Sequence, residues 1–178
     1  MMIEMTLEDI LKREIEYYEQ KRYKKAAKEY KKPVYDEPIT YMAWYNLGLD
    51  HFELGEFSKA INCYQKALEH NPKAEDVWNS MGLAFGAMGE HKKEIGCYEK
   101  ALKLNPKNAD TWYNLGIAYY ESGEPKKAIE YQKKAVKIDP EHAFAWLAMA
   151  GAYGQLGDRI KVDECQEKAA GFLRFNAI

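Results

Sequence analysis

Histidine has the widest chemical use of the side chains in this sequence, as a metal ligand and as an acid or base near neutral pH. The four histidines are His51, His70, His91 and His142, and they form no cluster along the chain. No two of them have the four-residue spacing that places two imidazoles on one face of a helix. We therefore predict no metal site and no cofactor, and we expect most of these side chains at the surface, with His51 partly packed.

Nucleophilic side chains form no catalytic motif either. No serine or cysteine lies in a known nucleophile motif, and no glycine-rich phosphate loop follows a strand. Cys63, Cys97 and Cys165 are spaced by multiples of 34 residues, and helices packed 8–10 Å apart would hold them beyond the roughly 7 Å that a disulfide allows. We expect three free packing residues, a reducing compartment and no enzymatic activity.

One block of like charge stands out near the beginning of the chain. It runs from Lys21 to Lys32, where seven basic residues are interrupted by one acidic residue, Glu29. Such a block can bind RNA or an anionic surface. We favour the solvated face of a helix, because residues 1–40 hold nine basic and nine acidic side chains. An RNA- or anionic-surface-associated protein that uses this block is the alternative function.

The composition is that of a folded globular chain. Of the 178 residues, 47% are hydrophobic and 30% are charged, and the net charge is −2. This balance excludes a disordered chain and gives no general attraction to nucleic acid. The longest charge-free apolar stretch, Ala143 to Tyr153, has 11 residues, whereas a bilayer needs about 20. With no apolar core in the acidic first twenty residues, we expect no signal peptide, no membrane span and a cytoplasmic protein.

A period of 34 residues organises the elements that carry these side chains. Within each period, apolar residues twice follow the spacing of one helical face, which predicts two helices per period. A glycine ends the first helix, and a residue before proline ends the second. Neither helix can bury its apolar face alone, so the hairpins must stack. The repeated residues are Trp44, Trp78, Trp112 and Trp146; Pro38, Pro72, Pro106 and Pro140; Gly55, Gly89, Gly123 and Gly157; and Ala67, Ala101, Ala135 and Ala169.

The repeated residues match a known motif. It is clearest in the repeat 109–142, which contains Trp112, Leu115, Gly116, Tyr119, Ala128, Ala135 and Pro140. The motif recurs in 41–74, in 75–108 with Glu94 in place of an alanine, and more loosely in 143–176. Over residues 41–176 the chain therefore resembles the tetratricopeptide repeat (TPR) family. Such a resemblance implies an all-α, right-handed superhelical solenoid of antiparallel helix hairpins, with about ten helices.

The domain organisation follows from counting the repeats. Residues 1–40 are predicted to form a degenerate N-terminal capping hairpin, in which a repeat-like unit spans 7–40, although an unrelated hairpin in phase with the repeats is the alternative. Close packing is expected where Gly48, Gly82 and Gly116 lie inside helices. Residues 41–178 are predicted to form the repeat array, which ends in a short apolar tail. We expect its last helix to run from about Arg159 to about Ala170.

The apolar tail has three explanations. It could extend the last helix and pack back, form a homodimer, or dock a partner. We favour packing back, with self-association second. The residues that would mediate a homodimer are Phe172, Leu173 and Phe175.

The resemblance also implies a concave groove, lined by the first helix of each repeat, that binds a peptide of a partner protein. No lysine or arginine stands at the second, fifth or sixth repeat position, so a clamp for a terminal carboxylate is not expected. Aromatic, amide and acidic side chains instead favour a peptide with apolar side chains and a basic residue. The predicted function is a non-catalytic protein–protein interaction adaptor. Its predicted groove residues are Met42, Tyr45, Asn46, Leu49, Phe52, Glu53, Asp76, Asn79, Ser80, Leu83, Asp110, Tyr113, Asn114, Ile117, Tyr120, Glu121, Phe144 and Leu147.

Overall fold

The structure is a computed structural model that describes residues 37–175 of the chain. This range contains eight helices and no strand, so the predicted all-α class is confirmed. The helices are α1 (Glu37–Glu53), α2 (Phe57–His70), α3 (Glu75–Ala87), α4 (His91–Leu104), α5 (Ala109–Glu121), α6 (Pro125–Ile138), α7 (Ala143–Gln155) and α8 (Arg159–Phe175).

The predicted N-terminal hairpin lies almost wholly outside the described residues, as does the basic block Lys21–Lys32. The eight helices are therefore two fewer than the ten predicted for the whole chain. Helix α1 begins at Glu37, four residues before the predicted start of its repeat at Tyr41. Pro38 is consequently the second residue of α1, a first-turn position where proline breaks no helical hydrogen bond.

A glycine in the left-handed region follows the first helix of each repeat. In the loop after α5, the Glu124 amide donates to the Tyr119 carbonyl at 2.9 Å, and the Gly123 amide donates to the Tyr120 carbonyl at 3.0 Å. These bonds close the helix end, and glycine alone adopts the required backbone without steric cost. The predicted helix stops are confirmed at Gly55, Gly89, Gly123 and Gly157, where φ lies between 72° and 77°.

The repeated tryptophans and prolines are joined by hydrogen bonds. In three repeats, the indole Nε1 donates to the carbonyl of the proline six residues earlier, at 2.9–3.2 Å. Each bond fixes the loop before a first helix to that helix, which accounts for the common period of the two residue types. The pairs are Trp78 with Pro72, Trp112 with Pro106, and Trp146 with Pro140.

Close packing occurs where the repeat carries a glycine inside its first helix. A Cβ atom built at Gly48 would lie 2.5 Å from Cδ1 of Tyr64, whose side chain is fully buried in α2. At Gly116 the neighbour is Gln132 of α6, which occupies the repeat position held by Tyr64 and Tyr98. The Gln132 amide nitrogen donates to the Tyr113 carbonyl at 3.1 Å. The predicted close helix approach is confirmed at Gly48 and Gly116, and it stays a prediction at Gly82.

The chain divides into two compact units, one ending at Met88 and the other beginning at Gly89. In the first unit, α1 packs against α2, and both contact α3. In the second unit, each helix from α4 to α8 packs against the next one, and α5 also contacts α7. The core of the second unit includes Leu102 and Leu115 between α4 and α5, and Ile129, Met149 and Cys165 between α6, α7 and α8.

The last helix is longer than predicted, because α8 continues to Phe175 rather than ending near Ala170. Residue 174 is an arginine at the repeat position where Pro72, Pro106 and Pro140 follow the earlier second helices. Without that proline, the backbone has no obligatory stop. Phe172 is half-buried and Leu173 is 45% exposed. Across the described helices, none is both long enough and apolar enough to cross a membrane.

Candidate functional site

The predicted groove residues of the first unit lie on α1 and α3, and part of this set packs between those helices. The Tyr41 hydroxyl donates to Asp76 Oδ2 at 3.0 Å, and the Tyr45 hydroxyl is 3.2 Å from Ser80 Oγ. Burial and the nearby Asp76 carboxylate raise the pKa of Tyr41 to about 12. Asp76, Tyr45 and Ser80 therefore join consecutive repeats.

The remaining predicted residues of the first unit differ in exposure. Met42 on α1 is 47% exposed, and Leu83 on α3 is 39% exposed. The Phe52 ring packs edge-on against Phe57 at 5.3 Å between centroids, so it belongs to the α1–α2 hairpin. Glu53 is exposed, whereas Asn46, Leu49 and Asn79 are half-buried.

In the second unit, His142 connects predicted groove residues of α5 to the start of α7. The Ala145 amide donates to His142 Nδ1 at 3.1 Å, so Nε2 carries the ring proton and donates to Asp110 Oδ1 at 3.1 Å. The Tyr113 ring packs against the imidazole at 5.1 Å between centroids. His142 thus caps α7 and holds α5 in contact with it.

Only one of the four histidines is exposed, so the prediction that most lie at the surface is wrong, whereas the packing predicted for His51 is confirmed. His51 is 7% exposed and its Nδ1 lies 2.7 Å from Glu56 Oε2, while His142 is 9% exposed. His91 is half-buried, and only His70 is exposed. These rings can be buried because their nitrogen atoms form hydrogen bonds with a helix terminus or a carboxylate, while their carbon atoms contact the core.

Among the predicted groove positions of the second unit, the most exposed apolar side chains belong to α7. Phe144 is 62% exposed and Leu147 is 40% exposed. They are three residues apart, so they lie on one face of the helix. Asn114, Ile117 and Tyr120 on α5 are half-buried. The outward face of α7 is therefore the most apolar accessible part of the predicted groove in this unit.

A cluster of potential metal ligands lies at the other end of α5. His91 Nδ1 is 3.0 Å from Glu94 Oε2 and 3.9 Å from Glu121 Oε2. Sequence reasoning missed this cluster because Glu121 follows Glu94 by 27 residues, and only the packing of α4 on α5 brings them together. The sequence did contain one sign of the cluster: Glu94 stands at a repeat position that favours alanine, three residues after His91.

The cysteines behave as predicted packing residues. Cys63, Cys97 and Cys165 are buried, and none of them forms a disulfide. Burial raises the pKa of the Cys97 thiol to about 11, and it also raises the pKa of the Cys165 thiol. Thiols with raised pKa values are poor nucleophiles at neutral pH.

Comparison with known proteins identifies the family. Three tetratricopeptide repeat models match residues 41–74, 75–108 and 97–130. Together the matches span 41–130, half of the chain, and the chain belongs to the tetratricopeptide repeat family. The resemblance inferred from the motif is thereby confirmed. A search of curated proteins finds no significant match.

Solved structures share the fold over nearly the whole chain. A crystal structure of MamA is 25% identical, with a TM-score of 0.84, and the alignment covers 98% of this chain and 99% of that chain. A structure of MamA from Desulfovibrio magneticus RS-1, from position 41 to its end, is 20% identical with a TM-score of 0.84, covering 94% and 95% of the two chains. The repeats and fold are those of a protein–protein interaction scaffold and are typical of non-catalytic proteins.

Proposed function

We propose that this protein is a non-catalytic adaptor that binds a partner peptide along the predicted groove. The observation that carries the proposal is the exposure of Phe144, at 62%, together with Leu147 on the same face of α7. An exposed aromatic side chain beside a second apolar one is a common anchor for binding, because it buries a large area with few rotatable bonds.

Charge near these side chains indicates what the peptide carries. Asp110 contacts His142, two residues before Phe144, and its side chain is 82% exposed. A peptide that places an apolar side chain on Phe144 would bring its neighbouring residues close to this carboxylate. A lysine or arginine beside the apolar residue would then gain a favourable charge interaction. We therefore propose a ligand with an apolar anchor flanked by a basic residue.

The tyrosines of the predicted groove have a different proposed role. The Tyr45 hydroxyl is bonded to Ser80, and the Tyr113 ring packs on His142. Replacing either tyrosine would disturb contacts between repeats as well as any bound peptide. We propose that these tyrosines position the groove, while Phe144 and Leu147 contact the ligand. Binding is therefore tested by substituting Phe144 and Leu147.

The test uses peptides selected from a random display library against the folded protein. Affinities are then measured by fluorescence anisotropy for the wild type, for Phe144→Ala/Leu147→Ala and for Ile160→Ala. Ile160 is a matched control, since it is 73% exposed but lies on α8, a second helix. We expect the double variant to bind at least about 30-fold more weakly, as the loss of a hot spot of about 2 kcal/mol implies. Ile160→Ala should bind like the wild type.

Two results would contradict the proposal. One is equal affinity of the wild type and the double variant for every selected peptide, which would place the site elsewhere. The other is binding of polyanions that falls steeply with salt and is unaffected by the double variant, which would favour the basic block Lys21–Lys32.

The cellular location is proposed from the cysteines. None of the three forms a disulfide, which supports a reducing compartment, and we propose a cytoplasmic location on that ground.

A further inference from the structure

The cluster of His91, Glu94 and Glu121 has distances suited to a metal ion. Two ligand atoms that each lie about 2.1 Å from Zn²⁺ are at most about 4.2 Å apart, and about 3.4 Å apart in a tetrahedral site. The distances from His91 Nδ1, 3.0 Å to Glu94 and 3.9 Å to Glu121, fall in this range. All three ligand atoms lie within 4.8 Å of one another. The half-exposed Glu121 side chain needs only a small movement to complete the set.

Glu94 is a buried carboxylate in an unfavourable electrostatic setting. It is 4% exposed, and its ligand atom lies 3.0 Å from Nδ1 of His91 and within 4.8 Å of that of Glu121. A buried charge is costly unless an opposite charge compensates it. Tyr98 hydrogen-bonds the Glu94 carboxylate from within the core, an arrangement that often orients a metal ligand.

The cluster is particular to one repeat and is not a requirement of the fold. Alanine occupies the position of Glu94 in both neighbouring repeats, and both alanines are buried. No other pair of adjacent repeats combines a histidine with two glutamates at these positions. The corresponding residues are Phe57, Ala60 and Ala87 in the preceding repeats and Pro125, Ala128 and Gln155 in the following ones.

We propose that His91, Glu94 and Glu121 bind one divalent transition-metal ion, for which Zn²⁺ is the test ion. One imidazole and two carboxylates supply three protein ligands of the type that Zn²⁺ accepts, and water would occupy a fourth position. The ion would join α4 to α5 within the second unit and neutralise the paired carboxylates. Binding would therefore stabilise the packing of two consecutive repeats.

The direct test is Zn²⁺ binding by the full chain after treatment with a chelator, in the presence of a reductant. We expect isothermal titration calorimetry to show one site, and the Tm to rise with Zn²⁺ concentration. At a free concentration 100 times the Kd, the folding equilibrium constant should increase about 100-fold. Absence of binding heat together with an unchanged Tm would overturn the proposal.

Variants locate the site. Glu94→Ala installs the residue found at Ala60 and Ala128, so it should fold, and it should abolish both the binding heat and the Tm shift. His51→Ala is the matched control, because it removes a histidine that faces a single carboxylate, Glu56. It should retain binding. Retention by Glu94→Ala, or loss in His51→Ala alone, would overturn the assignment.

Co²⁺ distinguishes this ligand set from the cysteines. Cobalt bound by nitrogen and oxygen should give only weak visible bands, and Glu94→Ala should remove them. A strong thiolate charge-transfer band in the wild type would show that Cys63, Cys97 or Cys165 binds the ion instead, contrary to the proposal. Zn²⁺ binding should be unchanged in Phe144→Ala/Leu147→Ala, so failure of the metal site and failure of peptide binding are distinguishable.

Discussion

Side chains at equivalent repeat positions share a packing environment, which the cysteines illustrate. Cys63, Cys97 and Cys165 are all buried, and none of them forms a disulfide, as their 34-residue spacing predicted. Sequence reasoning worked here because the period fixes which face of the second helix each residue occupies. It failed for His142, because a histidine that caps a helix is recognisable only once the first residue of that helix is known.

Alkylation should reveal the burial of Cys97. Its pKa of about 11 compares with an ordinary value of 9.0, so its thiolate fraction at neutral pH is about 100-fold smaller than in the unfolded chain. We expect iodoacetamide to modify Cys97 at least that much more slowly in the native protein than in guanidinium chloride. Mass spectrometry of tryptic peptides measures both rates, and comparable rates would contradict the burial of this thiol.

Alkaline pH should weaken the contact between Tyr41 and Asp76. The pKa of Tyr41 is near 10 when unfolded and about 12 when folded, so the unfolded state loses its proton first. Stability contributed by this group is present below pH 10 and is lost as the pH rises to about 12. Tyr41→Phe should cost about 1 kcal/mol at pH 7 and lose less stability than the wild type between pH 10 and 12. Urea denaturation at both pH values checks this, and parallel losses would contradict it.

At the scale of helices, the 34-residue period predicted most boundaries within the repeats, since glycine and proline stop helices by backbone geometry. The differences lie at α1, which begins at Glu37, and at α8, which continues to Phe175. At α1, Pro38 lies in the first turn of the helix and does not follow the end of one. At α8, Arg174 stands where the earlier repeats have a proline. A periodic pattern does not carry information about such local departures.

Close packing of the first and second helices can be tested with two alanine substitutions. Gly48→Ala would force Tyr64 to move, because the added Cβ lies 2.5 Å from its ring. We expect a loss of roughly 1–3 kcal/mol in the free energy of unfolding. Gly96→Ala is the matched control inside α4: nothing lies within 4 Å of its added Cβ, so it should gain up to about 1 kcal/mol. Thermal and urea denaturation measure both, and equal effects would argue against the close approach.

At the scale of the whole chain, the family was predictable because four residue types, Trp, Pro, Gly and Ala, repeat in phase. The candidate site was less predictable, since residues assigned to one groove divide between inter-repeat contacts, such as Tyr45 with Ser80, and exposed apolar side chains, such as Phe144. Which role a side chain takes depends on the residue opposite it in the next repeat. The predicted division between residues 1–40 and 41–178 stays a prediction, as residues 1–36 lie outside the described range.

Net charge makes a prediction for the chain as a whole. The net charge of −2 corresponds to an isoelectric point near 6.1. Proteins associate most readily where their net charge vanishes, and exposed apolar side chains such as Phe144 add attraction. We expect solubility to be lowest near pH 6 and to rise by pH 8. Precipitation with polyethylene glycol across this range measures it, and a minimum at a distant pH would contradict the prediction.

The indole bonds to Pro72, Pro106 and Pro140 give the protein a built-in set of optical probes. Each indole is half-buried at an equivalent position and bonded to the loop that precedes its own repeat. Unfolding of one repeat breaks one such bond and moves one fluorophore into water. Chains that retain a single tryptophan would therefore report, repeat by repeat, the order in which the array comes apart.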